Sequence, residues 1–425
     1  MPRTPMVAGA TDTRHDPTRR ERVLASIQDH RSARRAGGPR AEGRSGPVRR
    51  ATGAAGRLGN HAKTAATAGQ GPDGSRRADR YRARAWLSTV TDLARVSRCG
   101  RVSVIEGGEV LIKATTGADG QRSAGFGGLS TCGSVWACPV CSAKIAARRT
   151  QEIEQLLAWN AARGGSVALA TFTMRHHTGH RLKALRKALS AAWRHMTSHR
   201  VWKATRRELG NDGYVRAIEC TCSDDNGWHL HVHLLLVFDG PVSQELVDAW
   251  TDDLYALWSD GLALSGMEAS RAHGVDVRVG TGALDGLGKY LSKLTFETAG
   301  GRFKKGRKGG RTPFELLDDA INTGLAEDFE RWFEWEQGSK GMRQITWSRG
   351  LKARVGVDEQ SDEEIAEEEE QGETVARVTP SGWKILYWHA AELLSIVEQG
   401  GPEVAFAWMD RRGISFEVGK ALESP

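Results

Sequence analysis

Residues 227–238 read GWHLHVHLLLVF, and the rest of the chain is read outward from them. His229, His231 and His233 alternate with Leu230 and Val232, and an aliphatic run follows directly. Successive side chains on a strand point to opposite faces, so the three imidazoles project from one face while the aliphatic residues turn into a core. Two or three imidazoles on one face make a ligand set for a divalent transition metal. A strand with a merely polar face is the alternative. Three histidines at period two beside an aliphatic run favour the metal.

Upstream, GYVRAIECTC (213–222) reads as a second strand, joined to the first by the turn SDDNG. Glu219 and Thr221 alternate with Cys220 and Cys222, so Glu219 is the third protein ligand if its face is the histidine face. Two imidazoles and a carboxylate suit Mn²⁺ or Mg²⁺. His229, at the start of its strand, is the rival for that third place. Further out, VALATFTMRH (167–176) reads as a buried strand and 180–208 as helical with several basic residues. Residues 243–262 read as a helix, GVDVRVG as a short strand, and a helix follows around Tyr290. The order is βαββαβ, an α+β plan with an antiparallel sheet and helices on one face.

The stretch GLGKYLSKLTFE places Tyr290 three residues before Lys293. On a helix these share a face. A phenol with a pKa of about 10 is a weak nucleophile. A neighbouring ammonium and a metal-polarised phosphate make its attack feasible.

Cysteines precede the sheet. Cys99 lies in RCGR, and Cys132, Cys138 and Cys141 lie in TCGSVWACPVC. The Cys138–Cys141 spacing is that of a zinc knuckle, Cys132 is near enough to join it, and Cys99 is the natural fourth ligand, reached across a hairpin expected in SVIEGGEVLIK. Four thiolates satisfy a structural tetrahedral Zn²⁺. A redox CxxC is the alternative, but no thioredoxin-like βαβ context surrounds it.

The chain has 425 residues and a formal net charge of +8, and the charge is unevenly spread. Residues 1–80 carry 17 Arg/Lys against 7 Asp/Glu, with few large apolar residues, and read as a disordered basic arm. Residues 81–150 form the zinc-binding segment and 151–300 the sheet domain. Residues 301–357 form a basic loop (RFKKGRKGGR) and a helical extension in which Trp332, Trp335 and Trp347 are read as core. Residues 358–373 hold ten acids and no base and read as a linker. Residues 374–425 read as a pair of packed helices. A basic folded part with a basic arm fits an anionic polymer such as nucleic acid. No apolar run is long enough to span a membrane and the N-terminus lacks an apolar signal core, so a cytoplasmic location is expected.

With these residues in place, the chain resembles the plasmid rolling-circle replication initiators of the HUH endonuclease superfamily, of the type found in high-GC Gram-positive bacteria. The resemblance covers about residues 95–355. It rests on an ordered set: TCGSVWACPVCSAKIAARR, ATFTMRH, the GYVRAIECTC and GWHLHVHLLLVF hairpin, and GKYLSKL. It implies a ferredoxin-like endonuclease and strand transferase acting on plasmid origin DNA, with host helicase and polymerase as partners. His231 and His233 match the family's metal pair, His229 falls where an extra histidine often stands, Tyr290 matches the nucleophile and Lys293 its accompanying lysine. With one tyrosine in GKYLSKL, the resemblance implies a carboxylate for the closing step. Asp285 and Glu297 flank Tyr290, and neither spacing is compelling. Three rivals stay open: another HUH enzyme (a relaxase or transposase), a non-enzymatic zinc-dependent DNA-binding regulator, and a metallohydrolase that uses His231 and His233 without Tyr290.

Overall fold

Glu219 and His231 face each other across one antiparallel hairpin, and the sheet grows from that pair. The computed structural model describes residues 72–280, 310–368 and 372–419. All fall within one structural unit, His61–Pro425. In chain order the elements are helices α1 (Pro72–Val90) and α2 (Ala94–Arg98), strands β1 (Val110–Thr116) and β2 (Arg122–Gly127), helix α3 (Pro139–Ala162), strand β3 (Ser166–Phe172), helices α4 (Leu182–Ser198) and α5 (Arg200–Glu208), strands β4 (Asn211–Ser223) and β5 (Gly227–Phe238), helix α6 (Gln244–Ala263) and strand β6 (Val275–Val279). Beyond residue 309 come α7 (Pro313–Thr323), α8 (Ala326–Gly338), β7 (Ile345–Trp347), α9 (Leu351–Val355), α10 (Asp362–Glu367), β8 (Glu373–Val378), α11 (Pro380–Leu386), α12 (Ala390–Gly400), α13 (Pro402–Asp410) and β9 (Phe416–Val418).

The central sheet runs β6-β3-β5-β4-β7 among the described residues, and every pairing in it is antiparallel. β3 and β4 are thus parallel and separated by β5, with α4 and α5 as the crossover. β5 and β6 are parallel and separated by β3, with α6 as the crossover. These two interleaved units are the expected βαββαβ plan, and the α+β class holds. The β4–β5 turn closes at Gly227, whose φ of +69° favours glycine; a Cβ there would also stand 2.9 Å from the Thr178 Cα.

Both faces of the sheet are covered, not one. On the even-numbered face of β5, α4 buries Leu182, Leu185, Leu189 and Met196. Phe172 of β3 meets Trp258 of α6 at 5.3 Å, and Trp202 of α5 bridges Tyr214 and Trp250. On the odd-numbered face, Leu235 and Val237 share a core with Val215, Ala217, Leu169 and with Ile153, Leu156 and Leu157 of α3. The long cysteine-headed helix therefore lies over one half of the histidine face.

The segments outside the sheet differ from expectation for identifiable reasons. Residues 72–80, read as part of the arm, belong to α1, and Arg77 makes a two-pronged ion pair with Glu398 at 2.7 and 2.6 Å. The hairpin expected at 103–113 is displaced. β1 begins only at Val110 and pairs forward with β2 across a turn in which Gly120 takes φ +75°. The RQITW stretch, assigned to a helical extension, adds β7 to the sheet, while Trp332 and Trp335 are fully buried and Trp347 half-buried. The acidic run is not a plain linker. Ser361 and Glu364 form a capping box for α10, which buries Ile365 and Ala366, and Arg149 of α3 holds Asp362 at 2.8 Å. The C-terminal segment contains two strands besides its helices. β8 and β9 complete a second antiparallel sheet, β2-β1-β8-β9, so the first hairpin and residues 373–418 share one core around Ile112, Val378, Trp383 and Leu394. No helix among the described residues is long and apolar enough to cross a membrane.

Candidate metal centres

The four cysteines meet at the start of α3. Cys138 is its N-cap residue, Pro139 opens the first turn and Cys141 follows within it, while Cys99 ends α2. All four ligand atoms lie within 4.8 Å of one another and all four residues are buried. Cys99 Sγ is 3.7 Å from Cys138 Sγ and 3.5 Å from Cys141 Sγ, and Cys132 Sγ is 3.7 Å from Cys141 Sγ. A tetrahedron of sulfurs with Zn–S bonds of about 2.3 Å has edges of about 3.8 Å. The donor set and its spacing fit a structural zinc. The other three cysteines hydrogen-bond to Cys141 and hold its thiol well below the usual range.

A cation stands beside this centre that the sequence did not single out. Arg84 of α1 is buried, its guanidinium carbon 4.5 Å from the centre of the Tyr81 ring. It packs on Gly100 so closely that a Cβ there would fall 2.3 Å from that carbon. Burial opposes its charge, but Tyr81, Cys99, Tyr387 and Cys138 together hold the guanidinium above its ordinary pKa. Nothing in its local sequence (RYRARAW) distinguishes Arg84 from its neighbours, because Cys99 and Tyr387 reach it only in the fold.

The second centre lies on the odd-numbered face of the β4–β5 hairpin, at the end α3 leaves uncovered. The register pairs Glu219 with His231 and Ala217 with His233. Glu219 Oε2 accepts from both rings, 2.8 Å from His231 Nε2 and 2.9 Å from His233 Nε2. On the neighbouring strand Thr171 is the partner of His233, and its Oγ1 lies 3.1 Å from His233 Nδ1, which leaves Nε2 directed at Glu219. His231 Nδ1 is buried without a hydrogen-bond partner. Burial pushes the Glu219 carboxyl up, but the two imidazoles outweigh it and hold the group far below the usual carboxylate range. Burial likewise lowers His233, against its hydrogen bond to Glu219. An ionised carboxylate and neutral imidazoles are the forms that ligate. Adjacent ligands of a six-coordinate ion with bonds of about 2.1 Å stand about 3.0 Å apart. The three residues therefore fit a small divalent ion.

His229 shares the face but is engaged elsewhere. Its Nδ1 lies 2.6 Å from His176 Nε2, and His176 Nδ1 lies 2.9 Å from the Asn226 carbonyl oxygen. Burial first, then the charges of His231 and His176, lower its pKa to about 3. It is not in the group formed by Glu219, His231 and His233. Thr171 and His176 were not foreseen as neighbours of the site, although both lie in the ATFTMRH strand motif. Tyr290, Lys293, Asp285 and Glu297 lie outside the described residues, as does the basic loop up to residue 309.

A replication protein family model matches residues 129–259, which span three of the four clustered cysteines, Thr171, Glu219 and all three strand histidines. Over this segment the chain is similar to the replication protein family. The match stops short of Tyr290. A Streptomyces lividans protein described as protein rep is 28% identical over 338 residues, covering 63% of this chain and 74% of its own. A neomycin resistance protein of Streptomyces cyanogenus is 27% identical over 213 residues, covering 43% of this chain and 48% of its own. No solved structure matches the chain. The replication protein domain and the Streptomyces relatives support a plasmid replication initiator of actinobacterial type.

Proposed function

We propose that this chain initiates rolling-circle replication by nicking one strand of a plasmid origin, with Tyr290 as nucleophile. The observation that carries the reading is the convergence of His231 and His233 on one oxygen of Glu219, inside the segment matched by the replication protein family. Glu219, His231 and His233 would hold Mn²⁺ or Mg²⁺, with His229 a lesser candidate. When bound, the ion would draw charge from a non-bridging phosphate oxygen.

The chain's own residues do the rest. Thr171 holds the His233 ring through Nδ1 so that Nε2 faces Glu219, as outer partners of metal-ligating histidines do. The Tyr290 oxygen attacks phosphorus, the P–O3′ bond breaks, and the phenol proton ends on the released 3′-oxygen. Lys293 favours the phenolate form. The products are a 5′-phosphotyrosine and a 3′-OH. The phosphodiester energy is kept in the covalent bond, so no ATP is consumed. The free 3′-OH is a primer for a host polymerase, and the displaced strand calls for a host helicase. Cys99, Cys132, Cys138 and Cys141 would hold a structural Zn²⁺, which would anchor α3 over the other half of the histidine face. The setting of such a reaction is the cytoplasm.

The test is a covalent-adduct assay. Wild-type and Tyr290→Phe proteins are incubated with labelled single-stranded origin oligonucleotide and Mn²⁺, then run on a denaturing gel. A shifted band lost in the variant and with EDTA supports the reading. Metal-dependent cleavage with no adduct would replace the tyrosine transesterase with a hydrolase.

A further inference from the structure

The crossover layer of the sheet is electrically polarised in a way the nicking site does not use. Residues 181–208, covering α4 and α5, carry nine Arg/Lys and one acid, Glu208. The helix packed against them, α6, carries Glu245, Asp248, Asp252, Asp253 and Asp260 and no base. The two bodies touch closely: a Cβ on Gly261 of α6 would stand 2.6 Å from the Ala192 Cα of α4. A basic surface beside its own acidic neighbour would ordinarily be neutralised by ion pairs across the seam. Here Lys183, Lys187, Arg194, Arg200, Lys203 and Arg207 are all exposed, and none has a carboxylate partner among the described residues.

The free bases are ordered. At about 100° per residue, Lys183, Lys187 and Arg194 fall within about 40° of one another on α4 and span about 16 Å along it. Arg200, Lys203 and Arg207 fall within about 60° on α5. Between them the exposed positions are small: Ala184, Ser198 and Ala204. No large apolar side chain of these two helices is exposed. A protein-binding surface would place aromatic or aliphatic anchors at its centre. A rigid stripe of point charges with small residues between them suits a regular polyanion that approaches closely.

We propose that α4 and α5 form a docking surface for duplex DNA, which they grip by its phosphates on the face of the sheet opposite the Glu219–His231–His233 centre. Duplex DNA carries a negative charge per about 1.7 Å of its axis and meets such a stripe with several phosphates at once. The acidic α6 confines it to one side of the layer. The stripe's first residue, Lys183, follows the loop that leaves β3 beside the metal centre, and His176 in that loop is bonded to His229. A duplex on α4 is thereby led toward the histidine end of the sheet, where a melted strand can pass to the other face. The identity of the polyanion rests on the DNA-nicking reading; the location rests on charge and exposure alone.

The test measures binding of the full chain to a labelled 30-base-pair duplex across a salt series. The triple variant Lys183→Gln, Lys187→Gln, Arg194→Gln keeps good helix formers and is first matched to wild type by its melting curve. Loss of three phosphate contacts lowers the slope of log affinity against log salt by about 2.7. Adduct formation on a short single strand stays at the wild-type level. An unchanged salt slope overturns the proposal, and so does equal weakening on single strand and duplex. If wild type forms no adduct but the duplex slope still falls, the nicking reading fails while the docking surface stands.

Discussion

Glu219 and His231 are direct cross-strand partners, and their carboxylate oxygen and ring nitrogen stand 2.8 Å apart in a largely buried site. Without an ion, that contact is a hydrogen bond that satisfies Glu219. With one, both groups would turn to the same cation, and removing either partner would take away a ligand. We expect Glu219→Gln and His231→Gln each to weaken Mn²⁺ binding by more than about tenfold, since even outer-shell partners contribute 10- to 100-fold. Isothermal titration of the full chain reads this directly. Wild-type affinity in both variants would remove the ion from this hairpin.

His229 separates geometry from resemblance. It shares the face of His231, yet it is paired with His176 at 2.6 Å and burial pulls its pKa down to about 3. His229→Gln is expected to change Mn²⁺ affinity by no more than about threefold, well short of the His231→Gln loss, if His176 rather than the ion holds it. A loss as deep as that of His231→Gln would make His229 a full ligand that swings away from His176 on binding.

The βαββαβ core was legible because each of its strands carries its own signal. Alternating histidines mark β5, a polar turn ending in glycine closes the hairpin, and helical apolar spacing marks α4 and α6. The place of Glu219 was only half legible. Its parity is visible in the sequence, but the shared face with His231 depends on a register that pairs residue 219 with 231. Thr171 was invisible for the same reason, since β3 reaches His233 only once the sheet order is known. β8 and β9 were missed because their partner strand lies far along the chain; Val110 and Val378 are partners. The acidic run misled through composition. Its ten acids suggest a solvated tether, while Ser361-x-x-Glu364 spells a capping box and Ile365 supplies the buried contact.

The cysteine centre makes a prediction that separates ligand from counter-charge. Four thiolates around Zn²⁺ leave a net charge of about −2 in a buried place. Arg84, itself buried, is the cation that faces Cys99 and Cys138. Cys138→Ser should lower the zinc content of purified protein and its melting temperature together. Arg84→Gln should keep one zinc per chain but weaken it by about 10- to 100-fold, as loss of an outer partner does. Competition against a chromogenic chelator measures both. Equal zinc affinity in Arg84→Gln and wild type would leave the guanidinium a packing role only.

Arg77 and Glu398 tie the first described helix to α12 across 321 positions of sequence. Their side chains are only 8% and 3% exposed, and Arg77 also donates to Ser395 Oγ at 3.0 Å. Glu398 accepts a further hydrogen bond from the Ala124 N–H at 3.2 Å, so the carboxylate sits between α1, β2 and α12. Breaking a buried pair by deleting one member leaves the other charge uncompensated, at a cost of about 3–5 kcal/mol. Arg77→Ala should therefore lower the unfolding free energy of the full chain by that amount, read in urea as a lower midpoint at an unchanged m-value. Arg77→Lys should recover part of it, because an ammonium keeps the charge but not the two-pronged geometry. Arg77→Met paired with Glu398→Met should lose less than Arg77→Ala alone, since no buried charge is stranded. A midpoint unmoved in Arg77→Ala would detach residues 72–80 from the folded unit and return them to the basic arm.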